Sequence, residues 1–127
     1  MRRPYNRAFD PPAPVVSVCL RAPGRAATAQ AEGKVDTGSD LCAVPAHLVA
    51  ALDLPPVRSA RAVGFAGLLQ EAVVYRVDLE IDGLTFARIE ALATARPYVL
   101  VGRNVLRRLV VRLDGPREQV DVRRPRA

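Results

Sequence analysis

Alternating apolar and polar residues mark one strand of this chain more clearly than any other. From Val73 to Ile81 every second residue is apolar and most of the intervening ones are polar, which is the two-residue period of a strand with one buried face. In this phase Val73 and Tyr75 belong to the buried face. Asp82-Gly83 follows directly and predicts a two-residue hairpin turn, because glycine tolerates the positive φ of a type I′ turn.

Short strands are predicted on both sides of this hairpin. Apolar runs rich in β-branched residues place them at residues 15–20, 84–92, 98–101, 110–113 and 119–122. In the strand that returns from the hairpin, the apolar phase slips between Phe86 and Ile89, which predicts a β-bulge. Residues 26–35 favour a further strand, although this Ala-rich stretch leaves a short helix open.

Helices are expected to be few and short. One is predicted at residues 45–52, with Pro45 at the first helical position, and one at residues 104–109. Residues 57–72 look like a loop between two strand-like arms, either a simple flexible hairpin or a mobile cover. Residues 1–13 carry three Arg and several Pro. They predict an N-terminal arm that is disordered or lies extended against a partner.

Composition narrows the fold class to all-β. The chain has 127 residues, the length of one domain, which we place at residues 14–127 after the arm. Half of the residues are apolar, so a core can form, and the absence of Trp means that it consists of small aliphatic side chains. Eleven Pro and eight Gly favour many short elements and turns over a helical bundle.

The charge of +6 comes from 18 Arg and one Lys, scattered along the chain except at its termini. A basic chain can bind nucleic acid, but no aromatic-plus-basic pattern or nucleic-acid motif accompanies the charge, so we do not expect that partner. No apolar run approaches the roughly 20 residues that span a bilayer, and no secretory signal is apparent. We therefore expect a cytoplasmic protein whose Cys19 and Cys42 are reduced, although one disulfide is arithmetically possible.

Few residues offer catalytic chemistry. His47 is the only histidine, and no second His or Cys stands at metal-ligand spacing. No nucleophile elbow or phosphate loop is present, so neither a metal nor a cofactor is predicted. The carboxylates are left, and Asp36 differs from the others in its neighbours: Thr37 and Ser39 offer hydroxyl donors, and Gly38 permits a tight turn.

A single carboxylate of this kind does not make a hydrolase. Two facing carboxylates do, because like charges about 3 Å apart share one proton, so that one activates water while the other donates to the substrate carbonyl. The chain contains Asp-Thr-Gly-Ser once, at Asp36–Ser39. The second Asp must then come from a second copy, and a two-fold homodimer places identical residues opposite each other.

Two motifs in this chain resemble those of the retropepsin-like aspartic proteases. The first is Asp36-Thr37-Gly38-Ser39, and the second is Leu100-Val101-Gly102-Arg103-Asn104, whose Gly lies 66 positions after Asp36. A single short motif of this kind is common in turns; two in this order, over residues 15–123, are more specific. The resemblance implies an acid-protease-like closed β-barrel with a flap hairpin, functional as a two-fold dimer, in a bacterial member of the family.

The resemblance also implies roles for single residues. Asp36 would be catalytic, Thr37 would interlock with its copy in the partner, and Arg103 would form a buried pair with Asp40. Ser39 would support the active-site turn. Substrate-binding positions would be Gly38, Gly64, Phe65, Gly67, Leu100 and Val101, with Gly64–Gly67 as the flap. The chain departs from the family at Lys34, where an apolar residue is usual, and in its Pro-rich arm.

The function expected from these residues is that of an aspartic endopeptidase. It would cleave a peptide or protein substrate in an extended conformation, between apolar residues, without metal or cofactor. Two alternatives remain open at this point. One is a non-catalytic domain of the same fold that binds a peptide or acidic partner or serves dimerisation, and the other is a basic β domain associated with nucleic acid.

Overall fold

The structure is a computed structural model that describes residues 1–63, 67 and 69–126. Ten strands and two short helices follow one another in it: β1 (Arg2–Pro4), β2 (Val15–Arg21), β3 (Thr28–Val35), β4 (Cys42–Pro45), α1 (Ala46–Ala51), β5 (Pro56–Val63), β6 (Leu69–Ile81), β7 (Leu84–Thr94), β8 (Val99–Val101), α2 (Arg103–Leu106), β9 (Val110–Asp114) and β10 (Gln119–Arg123). The predicted all-β class is confirmed.

Six of these strands form a closed barrel. Their order is β2-β3-β8-β4-β7-β6, and a pairing between β2 and β6 closes it. The pairs β3–β8 and β4–β7 are parallel, whereas β6 and β7 form an antiparallel hairpin. Strand β5 extends the sheet beyond the barrel by pairing with β6. Neither helix in the described part of the chain is long and apolar enough to cross a membrane.

The barrel interior is aliphatic, as the composition predicts. Val18, Leu20 and Leu79 are at most 1% exposed. The interior is narrow beside β3: a Cβ on Gly33 would lie 2.6 Å from Cγ2 of Val18 and 2.9 Å from Cγ2 of Val101. Glycine therefore allows β3 to approach its neighbours closely just before the Asp-Thr-Gly-Ser turn.

The predicted turn and bulge of the β6–β7 hairpin are both present. Asp82 and Gly83 have φ values of 49° and 79°, the positive pair that a type I′ turn requires. The β6–β7 register shifts beside Val77 and Leu79. At the shift Arg88 has a φ of 53°, and its N–H donates to Oδ1 of Asp78 at 2.8 Å.

The predicted facing of the first residues of β6 is wrong. Val73 was expected in the core and is 43% exposed, whereas its neighbour Val74 is completely buried. Here β6 leaves the barrel and pairs with β5, whose register shifts between Pro56 and Arg58. The irregular register of this hairpin, rather than the alternation inside the barrel, therefore decides which residue points inward.

In residues 26–35 and 57–72 the structure selects one of the alternatives that the sequence left open. The first segment contains β3 and no helix, because it pairs with β2 on one side and β8 on the other. In the second, the two strand-like arms belong to the β5–β6 hairpin. Pairing on both sides stabilises the weak strand preference of residues 26–35, and in residues 57–72 the strand-like arms pair with each other.

The N-terminal arm lies extended against its own chain. Strand β1 pairs with β10 in a second sheet of order β1-β10-β9, and the N–H of Tyr5 donates to the carbonyl of Glu118 at 2.8 Å. Arg3 forms an ion pair of 2.5 Å with Asp82, whose side chain is 3% exposed. The arm is therefore ordered by intrachain contacts, and neither disorder nor a partner chain is needed to account for it.

Candidate active site

Asp36 stands where two neighbouring parallel strands end. Its N–H donates to the carbonyl of Val101 at 3.0 Å, so the β3–β8 ladder continues one residue beyond Val35. The N–H of Val35 in turn donates to the carbonyl of Pro14 at 3.0 Å. The backbone of Asp36 is thus held in register with the strand that carries the second sequence motif.

The turn after Asp36 orients its carboxylate. The N–H of Gly38 donates to Oδ1 of Asp36 at 3.0 Å, and the N–H of Ser39 donates to its carbonyl at 3.3 Å. A Cβ on Gly38 would lie 3.3 Å from the same Oδ1. The Ser39 hydroxyl, expected beside the carboxylate, donates instead to the carbonyl of Leu41 at 2.6 Å. Ser39 therefore braces the turn and does not contact Asp36 through its side chain.

The β8–α2 junction packs directly against this turn. The N–H groups of Arg103 and Asn104 donate to the carbonyls of Ser39 and Asp40, at 2.8 and 3.2 Å. Gly102 makes this approach possible, because a Cβ there would lie 2.4 Å from a backbone carbonyl oxygen of the turn. The two sequence motifs, 66 positions apart, are thus one structural unit.

Arg103 makes the pair that the resemblance implies, but the pair is not buried. One guanidinium nitrogen contacts Asp40 and another donates to the carbonyl of Thr37 at 2.7 Å. In the single chain the two side chains are 52% and 84% exposed. The predicted buried pair is therefore a solvent-exposed one here, and exposed pairs contribute about 1 kcal/mol or less.

Asn104 is a supporting residue whose role sequence reasoning missed. Its Oδ1 accepts from the N–H of Cys42 at 3.0 Å, and its Nδ2 donates to the carbonyl of Glu90 at 2.9 Å. It thereby joins α2 to β4 and β7. The sequence shows Asn104 as part of the Gly102-Arg103-Asn104 motif. Its two hydrogen-bond partners are backbone groups distant in sequence, so no local pattern indicates these contacts.

Cys42 lies beneath the same junction as a free, buried thiol. Burial raises its pKa to about 11, opposed by a hydrogen bond from the N–H of Gly102 to Sγ at 3.4 Å. Such a thiol remains protonated at neutral pH and packs as a small apolar group. Cys19 is also free.

An open cleft of about 680 Å³ separates the turn from strand β5. The turn contributes Gly38, Ser39, Asp40 and Leu41, β5 contributes Arg58, Ala60, Arg61 and Val63, and β7 contributes Leu92. The β5 residues and Leu92 were not predicted, because only the fold brings them opposite the turn. Its volume lies within the range of clefts that bind ligands.

Besides Gly38, which lines the cleft, the predicted substrate-binding residues lie in different surroundings. Leu100 is half-buried, whereas Val101 is 1% exposed and belongs to the core. The side chain of Val101 therefore lies behind the site and not at its surface. Gly67 is exposed, with a φ of 72°. The predicted flap residues Gly64 and Phe65 lie outside the described residues.

Solved structures share this architecture. The chain is similar to a retropepsin-like aspartic protease from Rickettsia conorii, with a TM-score of 0.60 and 16% identity over 94% of this chain and 86% of that one. The fold is retropepsin-like. The retropepsin-like barrel is also similar to the EIAV protease complexed with the inhibitor HBY-793, at a TM-score of 0.53 and 18% identity over 75% of this chain and 86% of that one.

A third similar structure is a foamy viral protease-reverse transcriptase in complex with an RNA/DNA hybrid. The TM-score is 0.55 and the identity 14%, over 73% of this chain. This chain corresponds to only 12% of that much longer one. No family model matches the chain, and no curated protein matches it either. The likeness therefore concerns the retropepsin-like fold.

Proposed function

We propose that this chain is an aspartic endopeptidase that acts as a two-fold homodimer, with one Asp36 from each subunit in the catalytic pair. The observation that carries the proposal is the position of the Asp36 carboxylate. It is oriented by the N–H of Gly38 at 3.0 Å, at the end of paired parallel strands and beside an open cleft. No other cluster of residues in the described part of the chain offers hydrolytic chemistry.

The two carboxylates would share one proton, because like charges in close contact cannot both ionise readily. One would take a proton from water, and the other would donate to the substrate carbonyl. The apparent pKa values belong to the pair and not to either residue. Asp40 is occupied by Arg103, so the second carboxylate has to come from a second chain.

Two features of the surface support a second copy as the partner. Thr37 lies beside a groove of about 340 Å³ whose other lining residues include Leu106, Leu109 and Val111. Strand β9 follows at the edge of its sheet and exposes Val110 and Leu113, at 37% and 47%. An unpaired edge with apolar side chains is a surface that pairs readily with another strand.

The substrate would be a peptide or protein segment in an extended conformation. Such a segment can lie between the turn and the edge strand β5 and form main-chain hydrogen bonds there, as in other cases of strand addition. The β5–β6 hairpin would then act as the flap that closes over the peptide and excludes water. Gly38, at the mouth of the cleft, would approach the substrate backbone.

The catalytic proposal is tested by comparing the wild type with Asp36→Asn. The measurement is cleavage of a peptide library and of a denatured protein. We expect cleavage that pepstatin inhibits and that falls by about 10³-fold or more in the variant, in line with the loss of a general acid–base group. Circular dichroism and sedimentation should be unchanged. Equal cleavage by both proteins, or no cleavage by either between about pH 3 and 8, would contradict the proposal.

The homodimer is tested separately by sedimentation at micromolar concentration. Leu113→Arg should weaken association and activity together, because it places a charge at the apolar edge of β9. Ala87→Arg, on the exposed bulge of β7, is the matched control and should leave the dimer intact. A wild-type monomer would favour the non-catalytic binding domain.

A further inference from the structure

The only lysine of the chain lies next to the catalytic turn. Lys34 is in β3, two residues before Asp36, and is half-buried. Its neighbours Gly33 and Val35 are buried in the barrel, so strand alternation directs Lys34 to the outer face. Since the β3–β8 ladder continues through Asp36, the same alternation places the Lys34 and Asp36 side chains on one face.

Leu100 shares this face. It is the Cα partner of Lys34 in the parallel β3–β8 pair, and residues paired in this way direct their side chains to the same side of a sheet. Leu100 is half-buried and is one of the residues proposed to contact substrate. The lysine therefore stands between a proposed substrate contact and the catalytic carboxylate.

Two aromatic rings hold the ammonium group. Nζ of Lys34 lies 5.0 Å from the ring centroid of Phe9 and 5.9 Å from that of Tyr98. The rings contact each other edge to face, with centroids 5.0 Å apart. Phe9 belongs to the N-terminal arm, so the arm contributes to this cluster. Cation–π contacts position a charge without neutralising it.

The charge of Lys34 is not balanced by an acid. No carboxylate lies within 4.0 Å of its Nζ in the part of the chain that the structure describes. Two other cations near the site are paired: Arg103 contacts Asp40, and Arg58 lies 2.6 Å from Glu90. A half-buried cation without a counterion gains most from a ligand that supplies one.

We propose that Lys34 forms a subsite for an acidic side chain of the substrate, at a residue adjoining the scissile bond. The inference rests on the proposed function and specifies its substrate class. A peptide held at Asp36 in an extended conformation passes the outer face of β3. Lys34 lies two residues before Asp36, which corresponds to about 6.6 Å along the strand. Two-fold symmetry provides one such lysine on each side of the scissile bond.

This subsite changes the specificity expected from the family resemblance. An apolar residue at position 34 would favour cleavage between two apolar residues. Lys34 instead favours Glu or Asp on at least one side of the bond, while Leu100 still offers an apolar surface beside it. The preferred substrate is therefore an acidic peptide with apolar neighbours.

The subsite is tested with two peptides that differ in one residue adjoining the scissile bond. This residue is Glu in one peptide and Gln in the other. The wild type should prefer the Glu peptide in kcat/KM by about tenfold, the value of one charge-assisted contact. Lys34→Met should abolish the preference, and Lys34→Arg should keep most of it. Arg25→Met, which removes an exposed charge that lies 3.7 Å from Asp53, is the matched control and should retain it.

A binding measurement decides the point independently of cleavage. In Asp36→Asn, reductive ¹³C-methylation labels only the N-terminus and Lys34, so one side-chain signal reports on the site. An apolar decapeptide with a central Glu should shift that signal, and the Gln decapeptide should not. If the wild type cleaves peptides and Lys34→Met has the same ratio of kcat/KM for the Glu and Gln peptides, the subsite proposal is wrong and the proposed function stands. Absence of any cleavage overturns the function, and an unchanged lysine signal then overturns the subsite as well.

Discussion

The active-site turn and the β5–β6 hairpin form the two walls of one cleft, and they are built differently. The turn donates a backbone hydrogen bond to β8 and accepts two from α2, and it lies against Gly102 with no room for a Cβ. The hairpin projects from the barrel with exposed Val63 and Leu69, at 67% and 63%. Its base is linked to β7 by the ion pair of Arg58 and Glu90.

The difference indicates that the two walls have different roles: the turn fixes the carboxylate, and the hairpin moves as a cover. A catalytic carboxylate needs a fixed position, since small displacements cost large factors in rate. A cover has to open and close, and segments with few buried contacts do so at low free-energy cost. Substitutions in the turn should therefore change global stability, whereas those in the hairpin should change only local opening.

The largest effect is expected from Gly102→Ala. The new Cβ would meet the carbonyl oxygen of Leu41 at 2.4 Å, and backbone atoms cannot move aside as a flexible side chain would. We expect the free energy of unfolding to fall by about 3 kcal/mol or more, measured by urea denaturation. Gly115→Ala is the control, because nothing lies within 4 Å of a Cβ there; equal effects of the two substitutions would contradict the tight junction.

Asn104→Ala should have the next largest effect. It leaves the N–H of Cys42 and the carbonyl of Glu90 without their partner, and unsatisfied buried groups are costly. We expect a loss of about 2 kcal/mol in urea denaturation. Asn6→Ala removes an amide whose hydrogen bonds are exposed and should cost less. If both variants are equally stable, Asn104 does not brace the turn.

Cys42 predicts a loss of stability at alkaline pH. Its pKa of about 11 in the folded protein exceeds the ordinary value of 9.0, so the unfolded chain releases the proton first. The contribution of the neutral thiol is complete below pH 9.0 and disappears as the pH rises to about 11. Relative to Cys42→Ala, the wild type should lose about 1.4 kcal/mol between neutral pH and pH 10. Parallel pH profiles of the two proteins would contradict the burial of the thiol.

The smallest effect is expected in the hairpin. Arg58 and Glu90 lie 2.6 Å apart, and the hydrogen bond from Arg58 holds the pKa of Glu90 below its ordinary value, but both groups are accessible to water. Arg58→Met should leave global stability almost unchanged and accelerate amide exchange in β5 roughly threefold, an effect that high salt removes. Arg61→Met, on the same strand, is the control. A large fall in global stability would show that the hairpin is as firmly built as the turn.

Local sequence patterns predicted much of the fold. The alternation before Asp82-Gly83 located a hairpin, and the phase slip between Phe86 and Ile89 located its bulge. Each of these features depends on residues adjacent in sequence, for which period and turn chemistry are sufficient. The same patterns failed at Val73, where the irregular register of the β5–β6 hairpin decides which side chain points inward.

In the site, too, local sequence predicts some features and tertiary structure decides the others. The sequence by itself determined the Asp36–Ser39 turn, the Gly102-Arg103-Asn104 motif and the limit of one such carboxylate per chain. Only the tertiary structure decided that Asn104 joins three elements, that Arg103 and Asp40 are exposed, and that Phe9 lies on Lys34. These contacts join residues far apart in sequence, and they exist because the order β3-β8-β4-β7 places these strands side by side and because the N-terminal arm pairs with β10.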